Sequence, residues 1–147
     1  MASLAQDHGL PLVVSPTVET DGKLSDGSDL GRFIGRVDES TDGYPLFYMV
    51  NCAHPTHLEP ALRAAREDGA PWLGRFKGLR ANASNKSHEE LDESTELDAG
   101  DSRDLADRMA ALQERFGMSL LGGCCGTDSL HIGEIAARCS SSPVEKR

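Results

Sequence analysis

Apolar positions along this chain follow two alternating rhythms. Short apolar runs at residues 12–17 (LVVSPT), 46–51 (LFYMVN) and 118–122 (MSLLG) read as strands, with a weaker one at 78–83 (GLRANA). The run at 46–51 is apolar almost throughout, as expected of a strand buried on both faces. Between these runs the spacing changes to that of helices. Leu30, Phe33, Ile34 and Val37 fall at i, i+3, i+4 and i+7, which predicts an amphipathic helix from about Ser28. Leu58, Ala61, Leu62 and Ala65 mark a second helix, with Thr56 as its expected N-cap and Gly69 as its stop. Leu105, Met109, Leu112 and Phe116 share one face of a third, over residues 102–116, ended by Gly117. A fourth helix is expected from Thr127 or Asp128. The acidic stretch 87–101 reads as a loop, and residues 140–147 (SSSPVEKR) as a flexible tail.

Four strand–helix units in series predict a parallel sheet in an α/β domain over residues 1–139. Their spacing of roughly 35 residues lacks the sharp self-similarity of a solenoid. Two architectures accommodate the pattern: an open doubly wound sheet, or part of a (β/α)8 barrel, which takes about 250 residues when complete. Both gather functional groups at the C-terminal ends of the strands.

Composition narrows the function classes. At 147 residues, 38% hydrophobic and 27% charged, the chain has the size and make-up of one globular domain. A net charge of −9 argues against nucleic acid, because phosphate binding needs clustered Lys and Arg. No run approaches the ~20 apolar residues of a membrane span. The N-terminal MASLAQDHGL lacks the basic and apolar regions of a secretory signal. The expected location is therefore cytoplasmic, where clustered cysteines more often bind metal or react than form disulfides.

The candidate chemistry lies in those cysteines. Cys52 follows the second strand, and Cys124 and Cys125 follow the fourth after Gly122 and Gly123. All three thus belong to the end of the sheet that carries active sites in this class. Zn²⁺ is commonly held by thiolates, and a catalytic zinc keeps three protein ligands and one open position. Three thiolates make a centre of net charge −1, a poor Lewis acid but a good host for a fourth thiolate, since a coordinating thiol is deprotonated outright. Glycines 122, 123 and 126 let the backbone turn sharply there. Spacing alone leaves another reading open, a vicinal pair of small buried hydrophobes. His54 and His57, in Cys-Ala-His-Pro-Thr-His, are the other candidate ligands nearby; His88 and His131 have no supporting constellation. Cys139 reads as a packing or surface thiol.

The stretches Asn51-Cys52-Ala53-His54-Pro55 and Gly122-Gly123-Cys124-Cys125-Gly126-Thr127 resemble the two zinc-binding motifs of the homocysteine S-methyltransferase family. The resemblance extends to Ser15-Pro16-Thr17-Val18-Glu19-Thr20-Asp21-Gly22 and Gly78-Leu79-Arg80-Ala81-Asn82-Ala83-Ser84, and runs from about Gly9 to Arg138. It implies a (β/α)8 barrel in which Cys52, Cys124 and Cys125 bind zinc. Homocysteine would occupy the open position as a thiolate and accept a methyl group from a small donor (a sulfonium, an ammonium or a methylated cofactor), giving methionine. Glu19, Asn51 and Asn82 would be substrate-binding residues, with Glu19 on the amino group. Nothing in the chain matches the Asp-Gly-Gly-like first strand of the family. Against the family pattern the chain corresponds to about strands 5–8, the C-terminal half of the barrel. Such a half has unpaired edges and an uncovered inner face, which invites self-association, including pairing of two copies into a pseudo-barrel. The alternative is a catalytically inactive zinc-binding or vicinal-thiol redox module.

Overall fold

The computed structural model describes residues 1–139 of the 147. The tail expected from Ser140 onward lies outside the described residues. Helix α1 (Ala2–Asp7) precedes the strand β1 (Val13–Val14), followed by α2 (Leu30–Thr41), β2 (Phe47–Ala53) and α3 (Pro55–Glu67). A 3₁₀ turn (Pro71–Arg75) leads into β3 (Phe76–Ala81). Then come the short α4 (His88–Asp92), α5 (Ser102–Phe116), β4 (Leu120–Gly123) and α6 (Ser129–Cys139).

The four strands form one sheet in the order β1-β2-β3-β4, and every neighbouring pair is parallel. A doubly wound sheet reverses its strand order at a switch point. This one does not, so its arrangement is that of consecutive strands in part of a barrel. Right-handed crossovers that always step the same way place every helix on the same face. The core confirms it. Val14, Tyr48, Val50, Leu79 and Leu121 of the strands pack in one cluster with Leu30 and Ile34 of α2, Leu58 and Leu62 of α3, Leu105, Met109 and Leu112 of α5, and Ile135 of α6. Each apolar stripe read from the sequence is thus a core-facing stripe.

The other face of the sheet has no helix among the described residues. Register places Val13 beside Phe47, Met49 beside Gly78, and Gly78 beside Leu120. Nearer the C-terminal ends Asn51 pairs with Arg80, and Arg80 with Gly122. Val13 and Leu120 are exposed.

The element boundaries differ from those expected. The first strand shrinks to two residues because Pro16, lacking an N–H, cannot donate to a ladder; its carbonyl still accepts from the Asn51 N–H at 2.9 Å. The second strand continues through Cys52 to Ala53, so Cys52 lies within the strand. The third strand starts two residues earlier, at Phe76, and the fourth starts at Leu120, with Met118 buried in the preceding turn. The second helix is capped by His54 rather than Thr56. Within the acidic stretch, Ser87 and Glu90 form a reciprocal capping box that starts α4.

Candidate metal centre

A β-bulge shapes the end of the sheet that holds the cysteines. Pairing passes from Asn51–Arg80 directly to Ala53–Ala81, leaving Cys52 as the extra residue on β2. Its φ is +53°, a left-handed conformation uncommon for a residue with a Cβ. A bulge re-aims a side chain. Here the Cys52 sulfur comes to 3.4 Å from that of Cys125.

Cys124 and Cys125 stand on the turn after β4. The Cys124 N–H donates to the Ala81 carbonyl at 2.7 Å, and the Cys125 carbonyl accepts from the Ala83 N–H at 3.0 Å. The turn is therefore stitched to the end of β3 on both sides. Thr127 closes it, its hydroxyl donating to the Cys124 carbonyl at 2.7 Å. Gly126 takes φ +75°, and a Cβ there would lie 2.5 Å from the Asp98 carbonyl oxygen and 2.9 Å from the Ala83 Cβ. Only glycine fits this position.

The three sulfurs lie within 4.8 Å of one another, with Cys124 and Cys125 3.9 Å apart. Zinc–sulfur bonds of about 2.3 Å at tetrahedral angles set neighbouring sulfurs about 3.8 Å apart. The spacing fits three thiolate ligands on one ion, and the triad can hold a metal such as zinc. The thiols also affect one another. Burial, together with the hydrogen bond to Cys124, pushes the Cys52 thiol up to about 12. For Cys124 burial opposes ionisation, but hydrogen bonds from Cys52 and from Cys125, with the nearby Arg80 charge, bring it below the ordinary thiol value. Cys124 therefore ionises before Cys52.

Asn82 supports the cluster. It is buried; its Oδ1 accepts from the Ser84 N–H at 3.1 Å, which fixes the amide so that Nδ2 donates to the Cys52 sulfur at 3.8 Å. The Ser84 hydroxyl donates to Asp98 at 2.9 Å, and Lys86 pairs with the same carboxylate. This draws the acidic stretch over the site. A cavity of about 240 Å³ beside Cys52 and Cys125 is lined by Asn82, His88, Leu91, Asp92, Leu97 and Asp98, among others.

The remaining candidates fall elsewhere. His54 caps α3, its Nδ1 accepting from the Thr56 N–H, and burial with the neighbouring His57 lowers its pKa to about 4. His57 donates through Nε2 to the Asn85 carbonyl. His131 is buried, its Nε2 donating to the Ala99 carbonyl and its Nδ1 facing the Asp128 carboxylate. Cys139 packs against the core. Asn51 lies on the open face and accepts from Arg80 Nε. Glu19 lies in the loop after β1, where its backbone pairs with Lys23 and Gly22, and its carboxylate has no partner among the described residues. Arg80, not singled out from the sequence, is with Lys77 one of two charged residues in β3 and hydrogen-bonds Asn51 on the open face.

Comparison with known proteins agrees with this geometry. A family profile for homocysteine S-methyltransferase matches residues 1–139. The chain is 31% identical to a methionine synthase of Mycobacterium leprae (strain TN) across 93% of its own length and 11% of that protein's. It is also 31% identical to a methionine synthase of Mycobacterium tuberculosis (strain ATCC 25618 / H37Rv), covering 87% of the chain and 10% of the relative. The chain thus spans about a tenth of the curated relatives it matches. On the strength of that profile and these relatives, the chain belongs to the homocysteine S-methyltransferase family.

Proposed function

We propose that this chain supplies the zinc-holding half, about strands 5–8, of a barrel that methylates homocysteine to methionine. The observation that carries the reading is the convergence of Cys52, Cys124 and Cys125, from two strands, within 4.8 Å. These three residues would be the metal ligands. Bound zinc would hold the substrate sulfur as a thiolate near neutral pH.

The chain's own residues account for the rest of the site. Asn82 keeps the Cys52 sulfur aimed into the cluster and supplies it with an N–H donor. The stitched turn at Gly126 holds the adjacent sulfurs of Cys124 and Cys125 on one side. Glu19, whose carboxylate has no partner among the described residues and which follows β1 at the same end of the sheet, is offered to the substrate's ammonium group. In the reaction the homocysteine sulfur, having lost its proton to solvent, forms a bond to the donor's methyl carbon. The bond from that carbon to the donor heteroatom breaks and leaves its electron pair with the donor. The strand–helix units that complete the barrel would bring the donor, so the described half alone binds metal without turning over.

Metal analysis of protein purified under reducing conditions tests this. Roughly one zinc per chain is expected, with cobalt-substituted protein showing thiolate-to-metal absorption that changes when L-homocysteine is added. Cys124→Ala should lose both. A folded, metal-free protein whose thiols oxidise and reduce reversibly would replace this reading with the redox module.

A further inference from the structure

We infer that residues 88–97 are a hinged lid over the cysteine cluster, which closes by carrying Leu97 onto Cys125. The segment has a closed neck. At its near end the capping box of Ser87 and Glu90 starts α4. At its far end the Asp98 carboxylate accepts from the Ser84 hydroxyl at 2.9 Å and pairs with Lys86 at 3.1 Å, so the chain returns to the point it left. A loop of this length whose ends meet has the form of an Ω-loop, which is frequently functional. Beyond the neck the chain is locked. The Ala99 carbonyl accepts from His131 Nε2 at 2.8 Å, and a Cβ on Gly100 would lie 2.3 Å from the Ala83 carbonyl oxygen. The pivot is therefore fixed beside the cysteine turn, where Gly126 lies against the Asp98 carbonyl.

The segment itself is not tied to the body. Among the described residues, 88–97 form hydrogen bonds only with one another and with Ser87. A stretch so attached opens and closes at low free-energy cost. Its apolar side chains nevertheless belong to the site. Leu91 and Leu97 line the cavity of about 240 Å³ together with Cys52 and Cys125. Leu97 is 79% exposed, and Cys125 is exposed as well. The arrangement seen is thus the open one, with an apolar tip and a thiol on one cavity and both facing water. Burial of a leucine side chain favours closure by about tenfold or more.

The test needs neither metal nor substrate. The rate of iodoacetamide alkylation at each cysteine of the reduced, metal-free full chain is followed by mass spectrometry. The reagent is uncharged, so the lid's carboxylates (Glu89, Glu90, Asp92, Glu93 and Glu96) do not bias it. Cys139, which lines a different cavity, is the internal reference. Leu97→Ser should raise the Cys125 rate by about tenfold relative to Cys139, and Leu97→Met should keep the parent rate. Equal Cys125 rates in the parent and in Leu97→Ser overturn the lid. So does a rise at Cys139 that matches the rise at Cys125, which would mark loosening of the whole chain.

Discussion

Cys52 combines two properties that ordinarily conflict. It is a candidate ligand, and it holds a backbone conformation that costs a non-glycine residue roughly 1–2 kcal/mol. The two can be separated by substitution in metal-free protein. Cys52→Gly should be more stable than Cys52→Ala by about 1 kcal/mol in urea denaturation, because glycine adopts positive φ without penalty. Both should lose zinc. Equal stability of the two variants would show that the bulge does not strain the chain. The bulge was not legible in the sequence: Asn51-Cys52-Ala53 looks like a strand end, and only pairing with β3 shows which residue is squeezed out. The sulfurs themselves were legible, because residue type and position after two strands restrict the chemistry to a few choices. The supporting donor was half legible. Asn82 was expected to bind substrate; its contact with Cys52 was not foreseen, and its amide orientation depends on the Ser84 N–H, a contact made by the turn.

At the scale of elements, helix positions were easier to read than strand boundaries. A helical stripe repeats over several turns, as Leu105, Met109 and Leu112 do, whereas a strand of two to seven residues can shift by two without changing its apolar character. The connections determine whether the site forms. Gly126→Ala should destabilise the protein by about 2 kcal/mol or more and abolish metal retention, since its Cβ would collide with the Asp98 carbonyl and with Ala83. A metal-binding, fully stable Gly126→Ala variant would contradict the turn geometry described above. The start of α3 responds to pH. His54 has a folded pKa of about 4 against an ordinary 6.5, so the unfolded chain takes up its proton first. Its contribution is complete above pH 6.5 and is lost as pH falls towards 4, by up to roughly 3 kcal/mol. His54→Asn keeps a capping side chain without that titration. Denaturation midpoints of the metal-free variant should depend less on pH between 6.5 and 5 than those of the parent.

For the whole molecule the main feature is the sheet face that no helix covers among the described residues. Exposed Val13 and Leu120, with half-buried Phe47 beside Val13 in register, form an apolar surface of the kind that drives association. Sedimentation mass should rise with concentration, and Leu120→Glu should return the chain towards monomer. A parent chain that stays monomeric across the same range would show that the surface is tolerated in water. The consecutive strand order has one more consequence, for the order of events in folding. Cys52 and Cys125 are 73 residues apart, and they meet only after β3 has docked beside β2 and β4 beside β3. As the chain leaves the ribosome the first sulfur must wait, unligated, for the last strand. A metal captured by this triad would close a long loop and act as a late latch, so the rate of zinc uptake during refolding should report on docking of β4 rather than on collapse of the first unit.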